Sequence, residues 1–345
     1  MKSAVSIVGG LLAAVALFAS VIGMGRSGDG AWLLHASYDP TRELYRAVNK
    51  AFAADYFERT GKRVAVRQSH SGSAAQARAV KEGLPADVLS LAIVPDMQAV
   101  AESGLLDKEW RERLPHHATP FYSTIVFVVR RGNPKNVHDW PDLVKPEPAL
   151  QIITPNPKTS GNGKLSLLAA WGAAVRRGAS PEDADTVVKS ILARAPVLDA
   201  SARAATATFT QKNLGDVHIT FESEAVLEVR EGKGALEIVY PASGSLRVEP
   251  PIAWVDRTVR RRETASLAKD YIDFIYSPAG QRIGAELSYR PTDPSIVQEF
   301  KSRFPAIALF GLDDVGLDWG KAQKRFFASG ALIDRIAAEL AKERP

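Results

Sequence analysis

The feature that most restricts the fold of this chain is a repeated unit: a short apolar run, a turn of small polar residues, then a helix-forming stretch. Its fullest example runs from Leu150-Gln151-Ile152-Ile153-Thr154 through Pro155-Asn156-Pro157-Lys158-Thr159-Ser160-Gly161-Asn162-Gly163-Lys164 into Leu165-Ser166-Leu167-Leu168-Ala169-Ala170-Trp171. Small residues at Ser160, Gly161 and Gly163 let a ligand approach the backbone, and the first N–H groups of a helix have no partner within it. Such a start is an anion site. A single loop of this kind is also an ordinary strand-to-helix connection, so the weight lies in the repetition.

Three further units follow the same plan. Trp32-Leu33-Leu34-His35-Ala36-Ser37-Tyr38 reads as a strand, Asp39 as a helix N-cap and Pro40 as a first helical residue. The apolar face Leu44, Tyr45, Val48, Phe52, Tyr56 and Phe57 then has helical spacing. Val64-Ala65-Val66-Arg67-Gln68 leads through Ser69-His70-Ser71-Gly72-Ser73 into a helix over 74–82 that stops at Gly83. Val197-Leu198-Asp199-Ala200-Ser201-Ala202-Arg203 precedes a helical stretch over 204–211. With apolar strands at 87–92 and 123–129, the alternation predicts an α/β protein with parallel sheets, whose ligands collect at the carboxyl ends of strands.

A chain of 345 residues calls for two domains of ordinary size, and 46% hydrophobic with 24% charged residues is a globular balance. The net charge of +5 comes without any Lys/Arg block interleaved with aromatics, which argues against nucleic acid. Residues 1–26, basic at Lys2 and uncharged from Ala4 to Met24, read as an export signal. The run is long enough to span a bilayer and lacks a small-x-small cleavage site before Arg26, so an uncleaved anchor is the alternative. There is no cysteine, hence no disulfide and no thiolate metal site. His116-His117 lack an i+4 partner and carry no metal expectation; Ser69, Ser71 and Ser73 lack a nucleophile pattern; Arg260-Arg261-Arg262 reads as a solvated helix start or loop. The amphipathic stretch 331–340 could pack on the body.

Several long motifs carry a family likeness: Ser37-Tyr38-Asp39-Pro40-Thr41-Arg42-Glu43-Leu44-Tyr45, Arg67-Gln68-Ser69-His70, Asn133-Pro134-Lys135 with His138-Asp139-Trp140, Ile153 to Gly161, Tyr271 to Gln281, and Trp319-Gly320-Lys321-Ala322-Gln323-Lys324. Over about Leu33 to Gly330 the chain resembles the periplasmic sulfate- and thiosulfate-binding proteins, the solute receptors of ABC importers. The resemblance implies a two-lobed type II periplasmic-binding-protein fold with a ligand cleft and two hinge crossings, near 122–124 and 240–244. Lobe one would be 32–124 plus 247–345 and lobe two 125–246.

The resemblance also implies how a sulfur oxyanion is held. Main-chain donors fall on Asp39, Ser73, Gly161, Asn162 and Ala202, and a hydroxyl donor on Ser160. Lys164 stands where the family has an arginine, and Phe221, within Phe221-Glu222-Ser223-Glu224, where it has a tryptophan donor. His70 and Arg203 are placed beside or behind the cleft. Asn162 replaces a glycine, which is tolerable only if its backbone is helical. The loss at Phe221 weakens sulfate or opens the site to thiosulfate or a small sulfonate. Expected besides are a periplasmic monomer, a membrane permease as partner, no cofactor, no metal and no catalysis. An anion-ester hydrolase is the alternative from another class, and no base, nucleophile or metal set supports it.

Overall fold

The computed structural model describes residues 30–147 and 149–343; residues 1–26, the expected signal or anchor, lie outside them. The chain opens with β1 (Ala31–Tyr38), β2 (Val64–Ser71) and β3 (Val88–Ser90), all parallel. It then builds a second sheet from β4 (Phe121–Arg130), β5 (Ile152–Pro155), β6 (Leu198–Asp199), β7 (Val217–Phe221), β8 (Leu236–Val239) and β9 (Ser245–Val248). β10 (Ile252–Trp254) returns to the first sheet antiparallel to β3, whereas β11 (Arg290–Pro291) and β12 (Leu309–Phe310) pair with β4 and β9. The orders are β10-β3-β1-β2 and β12-β9-β4-β7-β5-β6. The long central strand β4, Phe-Tyr-Ser-Thr-Ile-Val-Phe-Val-Val-Arg, is buried over most of its length, as a β-branched and aromatic run covered on both faces should be.

Helices fill the connections: α1 (Arg42–Thr60), α2 (Ser73–Lys81), α3 (Val94–Ala101), α4 (Gly161–Arg176), α5 (Pro181–Ala193), α6 (Ala202–Thr210) and α7 (Glu222–Glu231). The later part adds α8 (Asp256–Arg262), α9 (Ala265–Tyr276), α10 (Pro278–Glu286), α11 (Pro294–Glu299), α12 (Trp319–Ala322) and α13 (Leu332–Glu343). α1 ends at Gly61, whose φ of 69° lets the chain leave the helix left-handed without a Cβ penalty. Leu44, Val48 and Phe52 of α1 pack with Tyr271 and Ile272 of α9 under the first sheet, while Phe127, Trp140, Trp171 and Phe326 build the larger core of the second. Truncating any such buried aromatic to Ala costs about 3–5 kcal/mol.

Four expectations are corrected. Asp39 is not the N-cap: Tyr38 occupies that place and Asp39–Thr41 form one 3-10 turn ahead of α1, fixed by the Thr41 hydroxyl donating to the Tyr38 carbonyl at 2.7 Å. Residues 240–244 lie between β8 and β9 within the second sheet, so the second crossing falls after Val248. The return segment does not stay with the first sheet: Phe310, Phe326, Phe327, Ile333 and Ile336 share the second sheet's core, because burying these large apolar groups outweighs the connectivity. Finally, Arg260-Arg261-Arg262 is the last turn of α8, and Arg262 is no free surface charge. It pairs with Asp87 and stacks on Trp32 with 3.8 Å to the ring centroid.

Candidate functional site

Both sheets point the carboxyl ends of their parallel strands at one small cavity. From the first come Asp39 after β1, Gly72 and Ser73 after β2, and Ala92 after β3. The second supplies Ser160, Gly161 and Asn162 after β5, Ala202 after β6, and Phe221 at the end of β7. The centre of a water-sized group has about 10 Å³ in which to move there. The two walls touch: a Cβ on Gly161 would lie 2.5 Å from the Ala92 methyl and 3.4 Å from the Ser73 Cβ, so only glycine permits this approach.

Most polar side chains of the lining are committed to other partners. Ser160 caps α4, its Oγ accepting from the Gly163 N–H at 3.4 Å, and its own hydrogen is still available to donate. Asn162 is helical, with Nδ2 donating to Thr220 Oγ1 at 3.2 Å and Oδ1 accepting from Ser166 Oγ at 3.0 Å, so an asparagine stands at this position without backbone strain. Ser73 donates through Oγ to Asp96 at 2.5 Å and accepts from the Ala92 N–H at 3.1 Å. Burial raises the Asp96 pKa against the Ser73 bond and the charge of Lys164. Ala202 begins α6 behind the Ser201 cap. Phe221 is buried, its ring edge-on to Tyr38 with centroids 6.2 Å apart.

All six residues expected to bind, together with Phe221, therefore line the cavity; His70, Lys164 and Arg203 do not. Lys164 lies over the Phe327 ring at 5.4 Å, and burial lowers its pKa. His70 bonds Ser37 Oγ at 2.9 Å through Nδ1, and burial with nearby Arg42 lowers its pKa to about 4, leaving it neutral near pH 7. Arg203 is shared by two carboxylates, reaching Glu43 at 2.7 Å and Glu224 at 3.2 Å. Burial raises Glu224 to about 8 despite that guanidinium, with Glu228, Glu43 and Asp39 adding to the rise. Behind Phe221, Arg290 holds Glu222 with bonds of 2.6 and 2.8 Å.

Sequence reasoning missed Tyr38, Pro40, Gly72 and Ala92 in the lining and the Arg290–Glu222 pair. The first three sit within units already marked as strand-turn-helix starts and could have been found. Ala92 follows a strand without a small polar turn, and Arg290 is distant in the chain. No cluster of three or more His, Asp or Glu able to hold a metal occurs among the described residues. His116 and His117 form a left-handed turn, and His117 pairs with Glu112 at 3.1 Å on the surface.

The family model for bacterial extracellular solute-binding proteins matches residues 40–286. A sulfate-binding protein of Salmonella typhimurium is 46% identical over 307 residues, which is 88% of this chain and 92% of that protein. A thiosulfate-binding protein of Pseudomonas aeruginosa is 41% identical over 328 residues, 94% of this chain and 98% of that protein. Among solved structures, the sulfate-binding protein SubI from Mycobacterium tuberculosis superposes with a TM-score of 0.78 at 31% identity, covering 86% of this chain and 99% of that one. A periplasmic thiamin binding protein, at 17% identity and a TM-score of 0.63, shares the fold alone. The architecture is the two-lobed α/β fold of type II periplasmic binding proteins. The chain belongs to the bacterial extracellular solute-binding protein family, alongside its sulfate- and thiosulfate-binding members.

Proposed function

We propose that this protein is a periplasmic receptor that captures sulfate or thiosulfate and delivers it to the membrane permease of an ABC importer, without catalysis, cofactor or metal. The observation that carries the reading is the convergence of helix starts from both sheets on one cavity. Donors at Asp39, Ser73, Gly161, Asn162 and Ala202, with the Ser160 hydroxyl, would replace the hydration of a dianion. Each helix start contributes about 0.3–1 kcal/mol to an anion and up to about 2 when buried, so four of them supply several kcal/mol without a buried countercharge. A wall of N–H donors offers little to the proton of hydrogen phosphate, and an unmatched polar group of that kind costs about 1–3 kcal/mol.

Capture needs the walls to separate and close. Three crossings between the sheets, at the start of β4, after Val248 and before β12, permit that hinge motion, with lobes of about 32–124 plus 249–308 and about 125–248 plus 309–343. The protein would act as a monomer. Calorimetry of the purified protein against sulfate, thiosulfate, molybdate and phosphate tests the reading. Heats with sulfate or thiosulfate and little with phosphate are expected; tight phosphate binding with neither sulfur anion overturns it. Turnover of a sulfate ester that vanishes in Ser160→Ala would overturn the assignment as a pure receptor.

A further inference from the structure

We infer that Arg42, Arg46 and Lys50, an exposed basic stripe on α1, form an entry track that draws the anion to the cavity and sets its association rate without touching the bound anion. This deepens the receptor reading and rests on it. The three residues stand at i, i+4 and i+8 on one face of α1, and all three are exposed. α1 begins directly after the 3-10 turn that brings Asp39 and Pro40 into the lining, so the stripe starts at the cavity's edge and runs about 12 Å away from it. Like charges four apart on a helix repel. Nothing nearby offsets that cost: the one acid between residues 42 and 54 is Glu43, which Arg203 of α6 takes at 2.7 Å, and Arg46 and Lys50 have no hydrogen bond or ion pair among the described residues. Arg42 alone has a carboxylate, Asp39, at 4.0 Å.

The field of the stripe reaches the cavity's edge. His70, two residues ahead of Gly72 in the lining, has its pKa lowered to about 4 by burial first and then by Arg42, with Glu43 opposing and Arg46 and Arg203 adding to the fall. The lining alone cannot attract from a distance. Its one charged residue is Asp39, which repels a dianion, and helix-start dipoles lose their hold within about a turn. A full charge acts over a Debye length, about 30 Å at 0.01 M salt and about 8 Å at 0.15 M. Arg46 and Lys50 lie about 6 and 12 Å along the axis from Arg42, within that reach at low salt, and neither lines the cavity. Sulfate and thiosulfate carry the same charge, so the stripe hastens both equally and adds nothing to the choice between them.

The test is stopped-flow mixing of the full chain with sodium sulfate, read by intrinsic fluorescence at about 0.01 M and about 1 M salt, with calorimetry beside it. The variants are the double replacement Arg46→Gln with Lys50→Gln, and Lys62→Gln, an exposed lysine beyond the far end of α1 and roughly 27 Å along its axis. Glutamine is a good helix former, so α1 is kept. At low salt the double variant should associate about five- to tenfold more slowly, the value of two charges about 10 Å from a dianion, and its affinity should fall by the same factor with dissociation unchanged. At about 1 M salt the difference should shrink below about twofold. Lys62→Gln should stay within about 1.5-fold of the unaltered protein throughout. Equal association rates in the double variant and the unaltered protein at low salt, or an equal fall in Lys62→Gln, overturn the inference and leave the receptor reading intact. So does a change confined to dissociation, which would make the stripe a contact. Binding of neither sulfate nor thiosulfate by the unaltered protein overturns the receptor reading and the track with it.

Discussion

The cavity and the shell around it solve the same electrostatic problem in opposite ways. Apart from Tyr38 and Phe221 the lining residues are small or short, and the one charged residue among them, Asp39, has Arg42 at 4.0 Å. The shell around it holds charged groups against partners: Arg290 with Glu222, Arg203 with Glu43 and Glu224, while Asp96 accepts from the Ser73 hydroxyl. On the proposed receptor reading, fixed dipoles would handle the ligand while ion pairs hold the architecture. A charge in the lining would have to be desolvated in every cycle of binding and release, whereas a buried pair is desolvated once, on folding.

The comparison can be broken most directly at Gly161. Gly161→Leu puts a side chain where even a Cβ meets Ala92 at 2.5 Å, so the walls cannot come together. Sulfate and thiosulfate affinity should fall by more than about 100-fold, since an overpacked contact costs about 1–3 kcal/mol before any donor is displaced. Near-normal affinity by calorimetry would move the site elsewhere. Next, Arg290→Met leaves Glu222 buried without its partner, and urea unfolding should show a loss of about 3–5 kcal/mol. A loss near zero would remove the shell from the architecture.

A smaller effect separates the two regions. Arg203→Gln touches the shell and no lining group, so ligand affinity should change by less than about threefold, within the range of a partly exposed ion pair. A hundredfold loss would place a charge in direct contact with the anion. The smallest expected effect is on the pH profile. His35, bonded to Tyr271 Oη at 2.9 Å and Ser90 Oγ at 3.0 Å, has its pKa lowered to about 3 by burial and by His70. The unfolded chain then holds more protons below about 6.5, and stability falls on acidification through that window. Glu224, raised to about 8, acts in the other direction: the folded state holds its proton, and that contribution is lost as pH rises from about 4.5 to 8. Between pH 5 and 6.5 these two nearly cancel, and His70, lowered to about 4, adds a second loss on acidification, so urea midpoints at pH 5, 6.5 and 8 should be highest in the middle; a monotonic profile would contradict one of the three assignments.

Much of the candidate site was legible because the residues proposed to donate belong to local units. Ser160, Gly161, Asn162, Ser73 and Ala202 each lie at a helix start recognisable from a few neighbouring residues. Asp39 was placed correctly beside the cavity yet misread as a cap, since Pro40 and Thr41 tighten the turn before α1 begins. Arg203 could be listed near the cleft, but its division between Glu43 and Glu224 joins residues 160 and 21 positions away. The packing of Phe310 and α13 with the second sheet was likewise invisible to local reading.

By itself, then, the sequence determined the α/β alternation, the helix starts and the amino acids that begin them, because strand pattern, capping and backbone freedom act over a few residues. Only the tertiary structure decided that four such starts face one cavity, that Gly161 meets Ala92 there, and that Phe221 closes its corner against Tyr38. Those contacts join residues far apart in the chain. They depend on how two sheets are brought face to face, which local propensity does not encode.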